Sequence, residues 1–548
     1  MTTALSRNRW LWLVAGALMV LELFVFDRLG ARRQAMVYPR WSDQIQYLSE
    51  SYYSYDQLQA HGWRHGLAYA CTNPAAQGTL HDIVAVVAFG LFGPSRELAL
   101  DLNLIVFVAW QAMTLFAIRR LTGSTTLGWL GFGLLLCLAG PWTGDAGSAV
   151  DFRLDHAAMC LWGIAATTAL LTRGFRDLRW SLVFGVATGL TIIERFLTGA
   201  YFAPIFFAAA VWILCGDEKK IRLRNLVFAS LVAALLAAPF FWMHRTWIFN
   251  YYWQGHFANA ESAARAPGLG LLGSVDYIIG GFCDRHLGWV FGGFALMLSV
   301  IPLLLESFWD RMRTSRPALD RDWLFTGLAF LFVPTLILCL HRQKSEYVLG
   351  VIAPGLVLFL LWLWHLQLPE TGGRLRPAWP QGRTLVAGAA VLLGLGYFGM
   401  RQAAPPYEPR LLADSRTVEA FVDRLYVRAL EPGTNEPRIG IDQIMDSLDA
   451  VVMRVIGYER HHAWIPLHTR LPITILAQDE KIIFERLAEC DFVFLTDKMR
   501  GDGYWPYDHQ MRRLYPQLKA WCDANLERTE TLSIFEKEMS LYQRRPIP

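Results

Sequence analysis

Apolar residues occur along most of the chain in runs long enough to cross a bilayer. A transmembrane helix requires roughly 20 mostly apolar residues, and by this criterion the sequence predicts about eleven spans. They lie at 10–26, 99–118, 125–141, 156–172, 179–193, 197–215, 224–243, 287–307, 323–340, 347–366 and 384–400. The run from 179 to 215 is counted as two spans because Glu194 and Arg195 interrupt it, and charge at the centre of a bilayer is costly. The pattern therefore predicts a multi-span α-helical membrane domain.

Basic residues of the short loops predict the orientation of these spans. With a cytoplasmic N-terminus, every strongly basic loop lies on the cytoplasmic side, as the positive-inside rule requires. These loops are 119–120, 173–179, 219–224, 311–321 and 374–383. The opposite, extracytoplasmic face then carries the outer loops 27–98 and 244–286 and everything after residue 400.

Composition agrees with this class, since 54% of the residues are hydrophobic and only 18% are charged. The net charge of +4 follows from the basic cytoplasmic loops, so it gives no reason to expect a nucleic-acid partner. Eight cysteines are scattered along the chain without a C-x-x-C pair, and we predict no metal site from them.

The chain changes character at a proline-rich linker, 401–409, and has a soluble composition beyond it. Strand-like runs at "RIGI" and "DFVFLT", a final pair of strand-like runs, and helical patterns between them predict a small α/β domain over 401–548. The membrane domain then covers residues 1–400. Neither a Walker loop nor a dinucleotide-binding glycine motif is present, so transport powered by nucleotide hydrolysis lacks its usual signature.

The first outer loop contains an acidic and tyrosine-rich stretch, "RWSDQIQYLSESYYSYDQL", at 40–58. On a helix Asp43 and Tyr47 would share a face, with Gln44 beside them. A carboxylate at the bilayer surface is partly desolvated, which suits it to accept a proton from a hydroxyl group. The alternative is a solvated aspartate next to a belt of interfacial tyrosines.

Three further outer segments carry ionisable or aromatic side chains at the ends of spans. They contain Arg153, Asp155, His156, Glu194, Arg195, Lys344 and Tyr347. Ionisable groups at a span boundary are costly unless they are paired or functional, and arginine in particular can bind a phosphate through two hydrogen bonds. The alternatives are a helix cap for Asp155 and lipid-surface anchors for the cations.

The order of these motifs resembles that of the GT-C superfamily of membrane glycosyltransferases, in the branch of protein O-mannosyltransferases and lipid A aminoarabinose transferases. Asp43, Gln44 and Tyr47 match its first-loop motif. Further resemblance lies in "TLHDIVAVVAFGLFGPSRELALDLN", "FRLDHAAMCLWGIA", "GLTIIERFLTG" and "KSEYVLGVIAPGL". The resemblance covers residues 10–365.

The resemblance implies an inverting transferase that moves a sugar from a polyprenyl-phosphate donor to a lipid, glycan or protein acceptor. Its site would open at the periplasmic face of a bacterial inner membrane, among membrane lipids. Asp43 would be the general base. The donor phosphate would be bound by Arg195, Lys344, Arg153 and Tyr347, and donor and acceptor would be oriented by Gln44, Tyr47, Asp155 and His156.

One departure from the family pattern concerns a metal cofactor. Gln44 stands where many relatives carry a second acid, which removes one oxygen ligand from any Mg²⁺ or Mn²⁺. A required divalent cation is therefore disfavoured.

Three other classes of protein fit parts of the pattern. A ligase or polymerase of lipid-linked polysaccharides would use the same donor lipid on the same face. A transporter or flippase of lipid-linked sugars would place its polar residues near the midplane on broken helices, whereas here they gather at one interface. A membrane scaffold without enzymatic activity would leave the charged outer loops without a role.

Overall fold

A computed structural model of the protein describes residues 2–38, 42–73, 75–143, 147–258, 269–304, 309, 318–341, 344–366, 380–404, 407, 409–429, 438–441, 450–462, 464, 469–470, 480–499, 509–534 and 537–545. The chain forms two compact units. Unit 1 contains Met1–Arg32, Ser54–Trp253 and Gly268–Pro406. Unit 2 contains Arg33–Tyr53, Gln254–Pro267 and Tyr407–Pro548.

Helices make up most of the described chain. In chain order the α-helices are Thr2–Val25, Arg32–Gln34, Ser42–His61, Trp63–Thr72, Leu80–Phe92, Arg96–Thr122, Thr125–Cys137, Asp155–Leu171, Leu178–Glu194, Thr198–Leu214, Lys219–Ile248, Leu271–Gly281, Gly288–Leu304, Ala318–Leu340, Ala353–His365, Pro380–Ala403, Pro409–Ala429, Ala450–His461, Glu480–Glu489 and His509–Asn525. Short segments of 3-10 or π geometry are Phe26–Ala31, Gly140–Trp142, Phe249–Ala258, Phe282–Leu287 and Glu346–Ile352.

Among the described residues, seven helical stretches are long and apolar enough to cross a membrane. They are Trp10–Gln34, Arg96–Thr122, Lys219–Gln254, Leu271–Leu304, Leu319–Leu340, Glu346–His365 and Gly382–Ala403. Each contains or closely overlaps one predicted span. The protein is therefore an integral membrane protein with a helical membrane region, as the sequence predicts.

The four remaining predicted spans coincide with shorter helices. Thr125–Cys137 has 13 residues, whereas Asp155–Leu171, Leu178–Glu194 and Thr198–Leu214 have 17 each. The total of about eleven spans stays a prediction, because helices of this length cross the roughly 30 Å hydrocarbon core only with help from flanking residues or local thinning of the bilayer.

Local sequence sets where several membrane helices begin and end. The hydroxyl oxygens of Ser95 and Ser124 and the carboxylate of Asp177 each accept a hydrogen bond from a backbone N–H in the first turn, at 3.1, 3.2 and 3.2 Å. Such caps satisfy donors that the first helical turn leaves without partners. Gly123 ends the Arg96–Thr122 helix in the left-handed conformation that favours glycine, with φ 69°.

The predicted outer loop 27–98 is largely helical. It contains Ser42–His61, Trp63–Thr72 and Leu80–Phe92, and Gly62 separates the first two with φ 83°. Part of the second predicted outer loop, 244–286, lies outside the described residues, as does part of the linker 401–409.

Unit 2 contains a small mixed sheet. Its strands are β1 (Ile439–Ile441), β2 (Thr469–Arg470), β3 (Phe492–Met499), β4 (Leu526–Ile534) and β5 (Lys537–Arg544), in the order β2-β1-β3-β5-β4. β1 is parallel to β2 and β3, and the other pairs are antiparallel. The strand-like runs noted in the sequence correspond to β1, β3, β4 and β5.

Helices Glu480–Glu489 and His509–Asn525 form a hydrophobic cluster with the sheet of unit 2. Their apolar side chains pack with those of the strands, and Ile483, Leu487, Leu514 and Leu518 are all buried. The sequence predicts the first of these helices but not the second. Residues 33–53, which the sequence analysis places in the domain 1–400, belong to unit 2, whereas the boundary at residue 400 itself stays a prediction.

Two membrane helices of unit 1, Ala318–Leu340 and Ala353–His365, approach each other closely at Gly355. A Cβ atom added to this residue would overlap the backbone of Phe330 and Leu331. Close backbone approach at small residues is a common way for membrane helices to pack without a hydrophobic driving force.

We therefore expect Gly355→Ala to lower the free energy of unfolding by about 1–3 kcal/mol, the usual cost of overpacking. Gly388→Ala is the matched control, because nothing lies within 4 Å of a Cβ atom at that position. Thermal unfolding in detergent, followed by tryptophan fluorescence, measures both. Equal unfolding temperatures for the two variants would contradict the packing argument.

Candidate active site

The loop before the Asp155–Leu171 helix is shaped by one aspartate. The carboxylate of Asp151 accepts hydrogen bonds from the backbone N–H of Gly147 at 3.2 Å and of Arg153 at 3.1 Å. The backbone carbonyl oxygen of Asp151 accepts a third hydrogen bond, from Nδ2 of Asn103 at 2.8 Å. The sequence did not single out Asp151 as a site residue, but its bonds hold the backbone at Arg153 and so direct that side chain.

Asp155 lies between two arginines. Its Oδ2 is 3.2 Å from Nε of Arg153, and its Oδ1 is 3.0 Å from Nε of Arg195. The side chain of Asp155 is 1% exposed, that of Arg153 is 7% exposed and that of Arg195 is 12% exposed, so all three charges are largely removed from water. The carboxylate and the two guanidinium groups lie in a region of low dielectric, where electrostatic interactions are strong.

Arg195 occupies the break between two membrane helices. It follows the last residue of Leu178–Glu194 in an extended conformation, and the next helix begins at Thr198. Two backbone hydrogen bonds tie this break to an earlier segment, from Thr79 N–H to Ile193 at 2.9 Å and from Phe196 N–H to Gln77 at 2.7 Å. The break that Glu194 and Arg195 predict is present, and it is fixed from both sides.

Gln77 also contacts the arginine through its side chain. Its Oε1 accepts a hydrogen bond from Nη1 of Arg195 at 3.4 Å, while its Nε2 donates to the hydroxyl of Tyr251 at 3.1 Å. No sequence pattern indicates this role, since Gln77 is a single polar residue ahead of an apolar helix.

Tyr347 packs against the other arginine. The Cζ atom of Arg153 lies 3.8 Å from the centroid of the Tyr347 ring, in a cation–π contact. A small cleft opens beside these groups. It is lined by Asp155, Ala158, Arg195, Leu197, Thr198, Tyr201, Tyr347, Val348 and Val351. Three predicted site residues thus share one cleft, and Arg153 contacts two of them.

Lys344 has its ammonium group directed to the end of a helix. Its Nζ donates hydrogen bonds to the carbonyl oxygens of Leu338 at 3.0 Å, Cys339 at 2.9 Å and His341 at 2.5 Å. These are carbonyls that the end of the Ala318–Leu340 helix leaves without intrahelical partners. Partial burial lowers the pKa of Lys344 from its ordinary value, and the nearby thiol of Cys339 opposes the shift.

Two neighbours of the arginines face the interior. His156 is fully buried, with Nε2 3.5 Å from Sγ of Cys160 one turn along the same helix. Glu194 is also buried, and its carboxylate accepts a hydrogen bond from the backbone of His81 in the first turn of Leu80–Phe92. An acidic group is favourable at that position because the N-terminus of a helix carries partial positive charge.

The first-loop residues Asp43, Gln44 and Tyr47 belong to unit 2. Asp43 lies in the first turn of the Ser42–His61 helix and is partly exposed, whereas Gln44 and Tyr47 are buried. The predicted helix is present here. That Asp43 faces the same pocket as Arg195 stays a prediction.

No group of three or more histidine, cysteine or acidic side chains is placed to hold a metal ion within the part of the chain that the structure describes.

Comparison with known proteins gives a match in fold but none in sequence. No protein-family model matches the chain, and no curated protein is similar to it. The crystal structure of ArnT from Cupriavidus metallidurans bound to undecaprenyl phosphate matches with a TM-score of 0.58 and 15% identity, over 97% of this chain and 98% of that one. ArnT in the apo state gives 0.54 and 14% identity, with 98% of both chains covered.

The chain has the fold of the ArnT crystal structures. The resemblance that the motif order indicates is confirmed at this level. An oligosaccharyltransferase from Archaeoglobus fulgidus in the apo form matches with a TM-score of 0.45 and 12% identity, over 88% of this chain and 69% of that one, a likeness too distant to support further argument. In this fold the cluster of Arg153, Asp155 and Arg195 lies at the break between helices described above.

The shared carboxylate leads to a stability prediction. Asp155→Asn removes the carboxylate that two largely buried guanidinium groups share, and we expect it to lower the free energy of unfolding by about 3–5 kcal/mol. Asp423→Asn is the control, since Asp423 pairs with Arg460 in a more exposed setting and we expect a loss of about 1 kcal/mol or less. Thermal unfolding in detergent compares them, and equal losses would contradict the paired-charge interpretation.

Proposed function

We propose that the protein is a glycosyltransferase that moves a sugar from a polyprenyl-phosphate donor to an acceptor at the extracytoplasmic face of a bacterial inner membrane. The observation that supports this most directly is the cleft beside Arg153, Asp155 and Arg195, where two arginines share one carboxylate. Guanidinium groups bind phosphate oxygens through short, charge-assisted hydrogen bonds. The ArnT crystal structure of the same fold contains undecaprenyl phosphate.

The orientation of this cleft follows from the proposed topology. We take the four shorter helices as membrane spans as well, which gives eleven. The basic loop 173–179 then lies in the cytoplasm, between the C-terminal end of Asp155–Leu171 and the N-terminal end of Leu178–Glu194. Asp155 and Arg195 are at the other ends of those helices, so in this proposal the cleft opens at the periplasmic surface, within reach of a lipid headgroup.

In this proposal Asp155 acts as an internal counter-ion. It holds both guanidinium groups through their Nε atoms, so the arginines are already oriented before the donor arrives. Donors fixed in advance around a developing negative charge stabilise a transition state without further reorganisation. Arg195 and Arg153, supported by Tyr347, would therefore stabilise the departing phosphate, and Lys344 would add to the positive field while it caps its helix.

The transfer step requires a base. Asp43 would take the proton of the acceptor hydroxyl as the hydroxyl oxygen attacks the anomeric carbon of the donor. The bond from that carbon to the phosphate oxygen breaks with inversion, and polyprenyl phosphate leaves with the electron pair. Gln44 and Tyr47 would orient the acceptor, and Asp155 and His156 would orient the donor side, in each case as proposals from the matched motifs.

Asp43→Asn and Arg195→Ala test proton transfer and donor-phosphate binding separately. We expect Asp43→Asn to lower kcat by about 10²-fold or more with unchanged donor affinity, since only the proton acceptor is lost. Arg195→Ala should raise the Kd for undecaprenyl phosphate by about tenfold or more, the value of one charge-assisted hydrogen bond. Transfer from a radiolabelled polyprenyl-phosphate sugar in nanodiscs, and lipid binding to the same samples, measure these effects.

The matched control is Glu50→Gln, on the same helix as Asp43, where the carboxylate accepts a bond from Gln46. It should retain both activities. Normal turnover by Asp43→Asn would remove that residue from the mechanism, and equal donor affinity in Asp43→Asn and Arg195→Ala would contradict the phosphate assignment.

Lys344→Met tests whether Lys344 mainly caps its helix or mainly binds the donor phosphate. Because three carbonyl groups lose their donor, we expect a stability loss of about 1–3 kcal/mol. We also expect donor affinity to fall less than in Arg195→Ala. Lys481→Met, at an exposed lysine of unit 2, is the control. An affinity loss as large as that of Arg195→Ala, without any change in unfolding temperature, would make Lys344 a primary phosphate ligand and contradict its capping role.

A further inference from the structure

The segment that carries Asp43 is bound to a carboxylate from the C-terminal part of the chain. Glu459, near the end of the Ala450–His461 helix, accepts a hydrogen bond from the Tyr38 hydroxyl at 2.9 Å through Oε2 and from the Tyr52 hydroxyl at 2.8 Å through Oε1. Tyr38 and Tyr52 are 2% and 1% exposed. One tyrosine precedes Asp43 in the sequence and the other follows it, so a single side chain holds the segment on both sides.

Other contacts within unit 2 hold the same segment. The backbone N–H of Tyr38 donates to the hydroxyl of Ser415 at 3.2 Å. Tyr53 stacks on Trp464 with ring centroids 3.8 Å apart, and Trp464 stacks in turn on Tyr458 at 4.5 Å. The first outer segment therefore packs as part of unit 2. We refer to Tyr38, Tyr52 and Glu459 as the tyrosine–carboxylate clamp.

The position of Asp43 explains why such a clamp matters. Asp43 lies in the first turn of its helix, where no preceding turn restrains the backbone. A general base must lie within hydrogen-bonding distance of the proton that it accepts, and a shift of roughly 1 Å can cost about 10²-fold in rate. Anchors before and after Asp43 restrict this motion.

We propose that Glu459 is a positioning residue that fixes the first outer helix, and with it Asp43, for proton transfer. This inference rests on the proposed function, because it assumes that Asp43 is the base. It also gives the C-terminal part of unit 2 a role in the reaction, because that part holds the base. Loss of the clamp therefore lowers kcat and leaves donor binding intact.

The test uses the full-length protein in nanodiscs. Glu459→Ala should lower kcat by about tenfold or more, with the Kd for undecaprenyl phosphate unchanged. Hydrogen–deuterium exchange should be faster in peptides covering 42–53. Glu459→Gln, which keeps a hydrogen-bonding side chain of the same size, should recover most of the lost kcat.

Removal of single hydroxyl groups keeps the test independent of folding defects. Tyr38→Phe and Tyr52→Phe should each give part of the effect, and adding both to Glu459→Ala should cause no further loss, because the three side chains form one unit. The matched control is Asp423→Ala, which breaks the ion pair with Arg460 and the contact with His461 inside the same unit. It should change neither kcat nor exchange in 42–53.

The outcomes separate this proposal from the one on which it rests. Unchanged exchange in 42–53 for Glu459→Ala, or an equal loss of kcat in Asp423→Ala, would overturn the positioning role alone. Wild-type protein that transfers no sugar from any polyprenyl-phosphate donor would overturn the proposed function instead, and the exchange data would still report whether Glu459 holds the segment.

Discussion

Two guanidinium groups remain close together at the end of a bundle of apolar helices because the carboxylate of Asp155 lies between them. A largely buried charge without a partner would cost several kcal/mol, so the positions of Arg153, Asp155 and Arg195 depend on one another. This requirement extends into the fold around them. Asp151 shapes the loop that presents Arg153, and the segment at Gln77 holds the helix break that presents Arg195.

The same interaction gives the cleft its chemical character. Asp155 lies between the two guanidinium groups, and Arg195 also lines the cleft, where it offers hydrogen-bond donors to an anion. Tyr347 adds an aromatic face to Arg153, which further fixes its plane. A phosphate that binds at such a site meets hydrogen-bond donors that are already held in place. The proposed phosphate binding therefore depends on the same contacts that stabilise the helix break.

Sequence patterns predicted the features that arise from neighbouring residues. The long apolar runs, the break at Glu194 and Arg195, and the strands near the end of the chain all follow from local periodicity or from the cost of charge in lipid. Sharing of Asp155 between Arg153 and Arg195 was not predictable, because it joins two different helix ends. The role of Gln77 was not predictable either, nor was that of Lys344 as a helix cap, because the cap joins this side chain to carbonyl groups of the preceding helix.

The first outer segment also makes contacts that local sequence could not predict. A helix in this segment and a candidate role for Asp43 were predicted from a short stretch of sequence. The hydrogen bonds from the segment to Glu459, however, join residues about four hundred positions apart. Only the folded chain brings Tyr38 and Tyr52 to one carboxylate. For the C-terminal part of unit 2 the sequence indicated no function, and the role that we propose for it is physical restraint of the proposed base.

A cryo-electron microscopy map of the full-length protein with bound undecaprenyl phosphate is the most direct measurement. We expect density for the phosphate within hydrogen-bonding distance of Arg195, and the carboxylate of Asp43 facing the same cavity. Phosphate bound away from both Arg153 and Arg195, or an Asp43 side chain that opens into a separate region, would contradict the convergence of base and cations on one pocket.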